Sequence, residues 1–279
     1  MIRLMTKSDI PSAMLLKVAE GWNQTEIDWV TIQQIEPGGC LVFERAGTVV
    51  GTVTTVCYGK HLGWIGMMLV DAEYRRQGIG AALIEAALEY LDRREVSIAK
   101  LDATDVGRLL YDKFGFVDEC TVERWIRPSG DVQEEQKPDD GKDTIGNWDQ
   151  HLDQEAFGLD RSRILDCLLA NPGVRLFRTS NAQAFLRPGS KFQQLGPFVA
   201  RDTHAAGVVL DKILSHSCAF TIAWDLFPDC LTAVQLSHEK GFAPRRRLTR
   251  MAKKMRSDSS ESFLGDQAMQ FGIAAFEFG

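Results

Sequence analysis

Residues 63–83 read GWIGMMLVDAEYRRQGIGAAL. An apolar run over 63–70 meets a polar turn holding two arginines and two glycines. Beyond the turn Ile79, Leu83, Ala87, Leu88 and Leu91 recur at helical spacing, so the stretch reads as strand, glycine turn and helix. The turn lacks the third glycine of a dinucleotide fingerprint and the Lys-Ser/Thr of a Walker loop. Two readings remain. The glycines only permit the turn, or they admit an anion to the bare N–H groups and positive dipole end of the helix, with Arg75 and Arg76 adding charge.

Outward from this stretch, the chain of 279 residues is long for one domain. It carries 44% hydrophobic and 25% charged residues and a formal charge of -6, which speaks against a nucleic-acid partner. Six scattered cysteines without a C-x-x-C pair read as thiols of a reducing compartment. The polar start and the lack of a long apolar run predict a cytoplasmic protein with no membrane partner. The histidines show no ligand spacing, so no metal is expected.

Residues 129–147, SGDVQEEQKPDDGKDTIGN, set six carboxylates against two lysines and hold almost no large apolar residue. They read as an acidic flexible linker between a domain over 1–128 and another over 148–279. In the first, helix, hairpin (40–45 and 48–58), strand, helix, strand (97–104), short helix and strand alternate, a mixed α/β sheet. The second shows a related order, and YDKFGFVDE at 111–119 matches SHEKGFAPR at 237–245. The pair reads as a duplicated fold.

The strand Met68-Leu69-Val70, the turn Arg75-Arg76-Gln77-Gly78-Ile79-Gly80 and the later Leu110-Tyr111-Asp112-Lys113-Phe114-Gly115-Phe116 stand in fixed order about thirty residues apart. Together they resemble the GCN5-related N-acetyltransferase family. The fuller pattern, with GWNQTEIDW at 21–29, is similar to a bacterial tandem subgroup whose second domain is degenerate. The resemblance implies two acyl-CoA N-acyltransferase-like domains and acetyl-CoA as cosubstrate. Its pyrophosphate would lie on residues 76–81 (Arg76, Gln77, Gly78, Ile79, Gly80 and Ala81), beside Arg75. Its pantetheine arm would pair with Met68, Leu69 and Val70, and Thr104 would stand where many relatives carry Asn. Tyr111 falls at the family's general acid.

The family's base varies in position. Glu26 and Asp28 lie in the segment that walls the acceptor site in this fold, together with Trp22, Asn23, Gln24 and Trp29; Tyr58 closes a neighbouring strand. Both tryptophans can be read instead as packing anchors, and for Trp29 the two readings weigh equally. LGPFVARDTHAAGVV, the counterpart of the opening stretch, lacks its glycines, which predicts one cofactor per chain. The expected activity is acetyl transfer to a primary amine of a small molecule or an N-terminus, by a monomer or homodimer. Two alternatives stand beside it, an acyl-CoA sensor without turnover and an interaction scaffold.

Overall fold

The computed structural model describes residues 1–130, 147–256 and 265–279; residues 131–146 of the expected linker lie outside them. The chain forms two compact units, Met1–Cys120 with Leu248–Glu261 and Phe276–Gly279, and Thr121–Arg247 with Ser262–Ala275. They are not the two contiguous pieces expected from the sequence.

Unit 1 begins with β1 (Ile2–Leu4), α1 (Ile10–Ala19) and α2 (Glu26–Ile35). Then come β2 (Cys40–Arg45), β3 (Thr48–Tyr58), β4 (Leu62–Val70), α3 (Ile79–Arg93), β5 (Ile98–Ala103) and α4 (Asp105–Tyr111). Strand neighbours β1 to β4 are antiparallel, and β4 and β5 are parallel. The amphipathic α3 buries Ile79, Leu83, Ile84, Ala87, Leu88 and Leu91 against this sheet, as its periodicity predicts.

Unit 2 repeats the pattern with α5 (Gln150–Phe157), α6 (Ser162–Leu169), β7 (Arg175–Arg178), β8 (Ala182–Arg187), β9 (Gln193–Ala200), α7 (Thr203–His216), β10 (Ile222–Leu226), α8 (Leu231–Glu239) and β12 (Gln270–Gly272). Each of the two remaining strands crosses the division. β6 (Val117–Arg127) leaves unit 1 and pairs antiparallel with β10, Arg124 opposite Asp225. β11 (Ala243–Lys254) leaves unit 2 and pairs antiparallel with β5, Arg250 opposite Asp102.

Both pairings bury a two-toothed ion pair. Arg250 donates to Asp102 at 2.9 and 3.0 Å, and Arg124 to Asp225 at 2.7 and 2.6 Å. Both aspartate side chains are fully buried. A buried carboxylate without its cation is strongly destabilising, so each aspartate selects the exchanged strand that brings an arginine in register.

At the start of the chain Thr6 and Asp9 form a reciprocal cap. Hydrogen bonds from Arg3 at 2.7 and 2.8 Å are the main cause holding the Asp9 carboxyl at about 2, below its ordinary 3.8. The resulting stability is present above the unfolded value and is lost as pH falls through about 2. Asp9→Asn is therefore expected to lower the urea midpoint near neutrality. The gap to wild type should narrow steadily toward about pH 2.

Candidate active site

Among the described residues four non-glycine residues have positive φ, and two of them lie within the stretch that opened the sequence, Met67 (φ 47) and Arg76 (φ 61). Strained backbone of this kind concentrates at sites where geometry is used. Arg76 precedes Gly78, the left-handed N-cap of α3 (φ 82), where an added Cβ would meet nothing within 4 Å. No side chain caps this helix. Among the described residues the first recorded bond into its backbone is Ala82 N–H to the Gly78 carbonyl, at 3.0 Å, so the amides of Ile79, Gly80 and Ala81 have no recorded acceptor. An exposed helix start with bare amides is an anion seat.

The two arginines part company here. Arg76 is exposed, but Arg75 donates to the Val70 carbonyl at 3.0 Å and pairs with Glu20. Arg75, expected at the cofactor, instead ties the end of β4 to α1's C-terminal cap. Gln77 is also engaged, accepting from Arg45 and donating to the Glu73 carbonyl. Gly80 packs closely, its notional Cβ lying 3.2 Å from Leu110. That glycine lets α3 and α4 approach as well as leaving the helix start open.

Met67 marks a bulge. Thr52 pairs with Leu69 and Thr54 with Gly66, so β4 carries an extra residue between them. The Thr52 hydroxyl donates to the Met67 carbonyl at 2.7 Å and fixes the distortion. β4 and β5 pair only from Leu62 to Trp64 and from Ile98 to Lys100. Beyond Trp64 no described strand pairs with β4 on that side, and Met68, Leu69 and Val70 line the opened stretch.

Thr104 caps α4, accepting from Gly107 N–H at 3.1 Å. At the end of the same helix Tyr111 is 8% exposed and meets Phe116 edge-on at 6.0 Å. Burial pushes its phenol above the usual value of 10, so it holds its proton throughout the neutral range.

The acceptor wall differs from expectation. Asp28 accepts from Thr25 N–H at 2.6 Å and Thr25 Oγ1 at 2.8 Å, which commits it to capping α2. Glu26 is exposed on the first turn of that helix. Trp29 is 1% exposed and packs in the core. Asn23 is buried, and Trp22 and Gln24 are half-buried. Tyr58 donates its hydroxyl to the Phe278 carbonyl, and Trp64 Nε1 donates to the Phe276 carbonyl at 2.8 Å. Between these anchors, Gln24 Nε2 donates to Glu277 Oε2 at 2.9 Å. Residues 276–279 therefore lie on unit 1, over Gly66, whose notional Cβ would fall 2.8 Å from the Glu277 Cα. Sequence reasoning missed this segment. It lies far from every motif, and only the apolar density of IAAFEFG at 273–279 marks it as buried.

In unit 2 both counterparts of the site are filled by the chain itself. Asp202 caps α7, its carboxylate accepting from Ala205 N–H at 2.7 Å. β9 pairs with β10 only from Gln193 to Leu195, and beyond that β12 takes the ladder, with Gln270 opposite Val199 and Gly272 opposite Phe198. Trp224 Nε1 holds the Phe271 carbonyl at 2.8 Å, and Ile273 N–H reaches the Asp225 carbonyl at 2.9 Å.

Among the described residues no group of three His, Cys, Asp or Glu gathers to hold a metal, and no helix is long and apolar enough to cross a membrane. A sheet opened at a bulge between parallel strands, beside a bare helix start, is the layout of an acyltransferase fold and not of a dinucleotide-binding one. A family model described as an acetyltransferase (GNAT) domain matches residues 36–118, and another of the same description matches 150–264. The uncharacterized N-acetyltransferase YitH of Bacillus subtilis is 25% identical over 177 residues, 60% of this chain and 61% of its own length. The chain thus spans less than two thirds of that relative. A putative acetyltransferase from Pyrococcus horikoshii superimposes with a TM-score of 0.83 at 25% identity, covering 100% of this chain and 95% of that one. A tandem GNAT protein from the clavulanic acid biosynthesis pathway shares the fold, with a TM-score of 0.66 at 14% identity over 93% of this chain and 99% of its own. The chain belongs to the GCN5-related N-acetyltransferase superfamily and carries two domains of that fold in tandem.

Proposed function

We propose that the protein transfers the acetyl group of acetyl-CoA to a primary amine, of a small molecule or a protein N-terminus, and that unit 1 alone binds the cosubstrate. The observation that carries this reading is the contrast between the units. In unit 1 the amides at the start of α3 are bare and the β4 edge beyond Trp64 has no described strand beside it. In unit 2 Asp202 and β12 occupy the equivalent places.

The bare amides of unit 1, with Arg76 at the entrance, would take the pyrophosphate. The backbone of Met68, Leu69 and Val70 would receive the pantetheine arm as an added strand. The thioester then lies between β4 and α4, where an amide near Leu69 would face the developing oxyanion. Tyr111, kept protonated by burial, would supply a proton to the departing thiolate. Thr104 stays bound up in its cap and plays a lesser part.

Titration calorimetry with acetyl-CoA tests this, using Gly78→Asp as the comparison. That variant places a carboxylate at the start of α3, as Asp202 does at the start of α7; the position has open space around it, and its left-handed backbone adds some strain. Wild type is expected to bind one equivalent. The variant should stay folded with a somewhat lower thermal midpoint and lose about tenfold or more in affinity, since a charge at a helix N-terminus is worth up to about 2 kcal/mol. Two equivalents per chain, no binding by wild type, or equal affinity in the variant would each overturn the proposal.

A further inference from the structure

We propose that residues 270–279 are a single strap, anchored as β12 in unit 2, whose last four residues form a wall of the amine site in unit 1. The proposal deepens the acyl-transfer reading above and rests on it. The chain passes from Ala275 in unit 2 to Phe276 in unit 1. Past Gly272 it forms no strand, yet Ile273, Ala274, Ala275, Glu277 and Phe278 are all buried. Buried backbone oxygens outside a ladder need donors from elsewhere. Side chains supply them along the whole strap. In unit 2 Trp224 Nε1 donates to the Phe271 carbonyl at 2.8 Å, and Arg187 Nη2 to the Ala274 carbonyl at 2.6 Å. In unit 1 Trp64 Nε1 donates to the Phe276 carbonyl at 2.8 Å, and the Tyr58 hydroxyl to the Phe278 carbonyl.

Unit 2 is shaped to its part of the strap. A Cβ at Gly272 would lie 2.7 Å from Trp224 Nε1, and one at Gly196 would lie 2.1 Å from the Ile273 carbonyl oxygen. Backbone that approaches this closely requires glycine. Loss of a cofactor alone explains neither glycine. A strand of three residues is also too short to hold itself, and pairing with Phe198 and Val199 of β9 fixes the point from which the chain runs on to Phe276. The filled groove of unit 2 thereby gains a use.

What the strap meets in unit 1 assigns that use. It lies over Gly66, past Trp64 where pairing with β5 ends and just before the Met67 bulge. Met68, Leu69 and Val70, which would receive the pantetheine arm, follow directly along β4. Gln24 and Tyr58, both expected at the acceptor wall, hold residues 277 and 278 of the strap. The strap therefore belongs to the wall, and its hold in unit 2 bears on the amine and not on the cosubstrate.

Trp224→Phe removes the donor to Phe271 and keeps an aromatic ring beside Phe198 and Phe242, whereas Gly272→Ala crowds the same indole. Both variants lie in unit 2. They are tested by hydrogen exchange and by thiol release from acetyl-CoA with primary amines and with peptides bearing free N-termini. Amides of residues 276–279 are expected to exchange about tenfold faster than in wild type, and the KM for the amine to rise about fivefold to tenfold, the scale of one lost hydrogen bond. Acetyl-CoA affinity should match wild type, a split that a general loss of stability does not produce. Exchange over 276–279 at the wild-type rate in both variants would overturn the proposal, because unit 2 would not be what holds the strap. Faster exchange with the amine KM within about twofold of wild type would overturn it as well, because the strap would not be the wall. If wild type neither binds acetyl-CoA nor releases its thiol, the acyl-transfer reading falls and this proposal with it.

Discussion

Tyr111→Phe is expected to lower kcat for thiol release from acetyl-CoA by about 100-fold or more, the usual contribution of a positioned acid. Acetyl-CoA affinity should change little. The ring, which packs on Phe116 and lies within the core beneath α3, is kept in the variant. The lost group is the hydroxyl, for which no hydrogen-bond partner is recorded among the described residues. Removing a hydroxyl with no partner leaves nothing else unsatisfied, so stability should hold. The pH dependence follows from the direction of its shift. Burial raises the phenol above 10, so Tyr111 remains a donor across the neutral range and cannot cause an alkaline loss of rate below that value. A base-side limb near neutrality therefore has to come from another group. Turnover in Tyr111→Phe at wild-type rate would remove the general acid from the proposed mechanism and favour donation by water.

The strand–turn–helix over 63–91, the short helix bearing Tyr111 and the second copy of the fold were all legible in the sequence. Each rests on local periodicity or on glycine placement within a few residues. The bulge at Met67 was not legible, because a Met-Met pair in an apolar strand carries no mark of which residue turns out of register. Nor was the role of Arg75. Its pairing with Glu20 joins residues whose sequence separation carries no period. One of the two acidic candidates, Asp28, has a structural use that the sequence also spelled. Thr25-x-x-Asp28 spells a helix cap as readily as a catalytic wall, and the cap is what forms. Glu277 lies 253 positions from Gln24, beyond any local pattern. The contrast between the domains was half legible. Missing glycines pointed to an unsuitable second site, whereas its filling by Asp202 and β12 depends on a strand that three residues of sequence do not announce.

Arg250→Met is expected to destabilise unit 1 by about 3–5 kcal/mol, the cost of leaving one member of a buried pair without the other. The Asp102 side chain is fully buried and takes both guanidinium bonds, and the same guanidinium stacks 4.5 Å from the centre of the Trp64 ring. The pair does more than hold charge. Along β11 successive side chains alternate faces, so a slip of one residue against β5 would turn Arg250 away from Asp102. Registers that bury Asp102 without a cation are thereby disfavoured, and the strand contributed by the far half of the chain is fixed in one position. Arg124 and Asp225 perform the same task on β6 and β10, with Arg124 lying 5.2 Å from the Phe192 ring centre. If register and not charge attraction is the main product of the pair, Asp102→Leu combined with Arg250→Met should recover most of the stability that Arg250→Met alone loses. The recovered protein should also lose the single sharp unfolding transition, because an apolar pair no longer penalises a slipped β11. Urea unfolding of the single and double variants measures both quantities. A loss below about 1 kcal/mol in Arg250→Met would show that Asp102 finds another partner. A sharp transition in the double variant would place the register signal elsewhere on β11, with Met251, fully buried in the core of unit 1, the residue to change next.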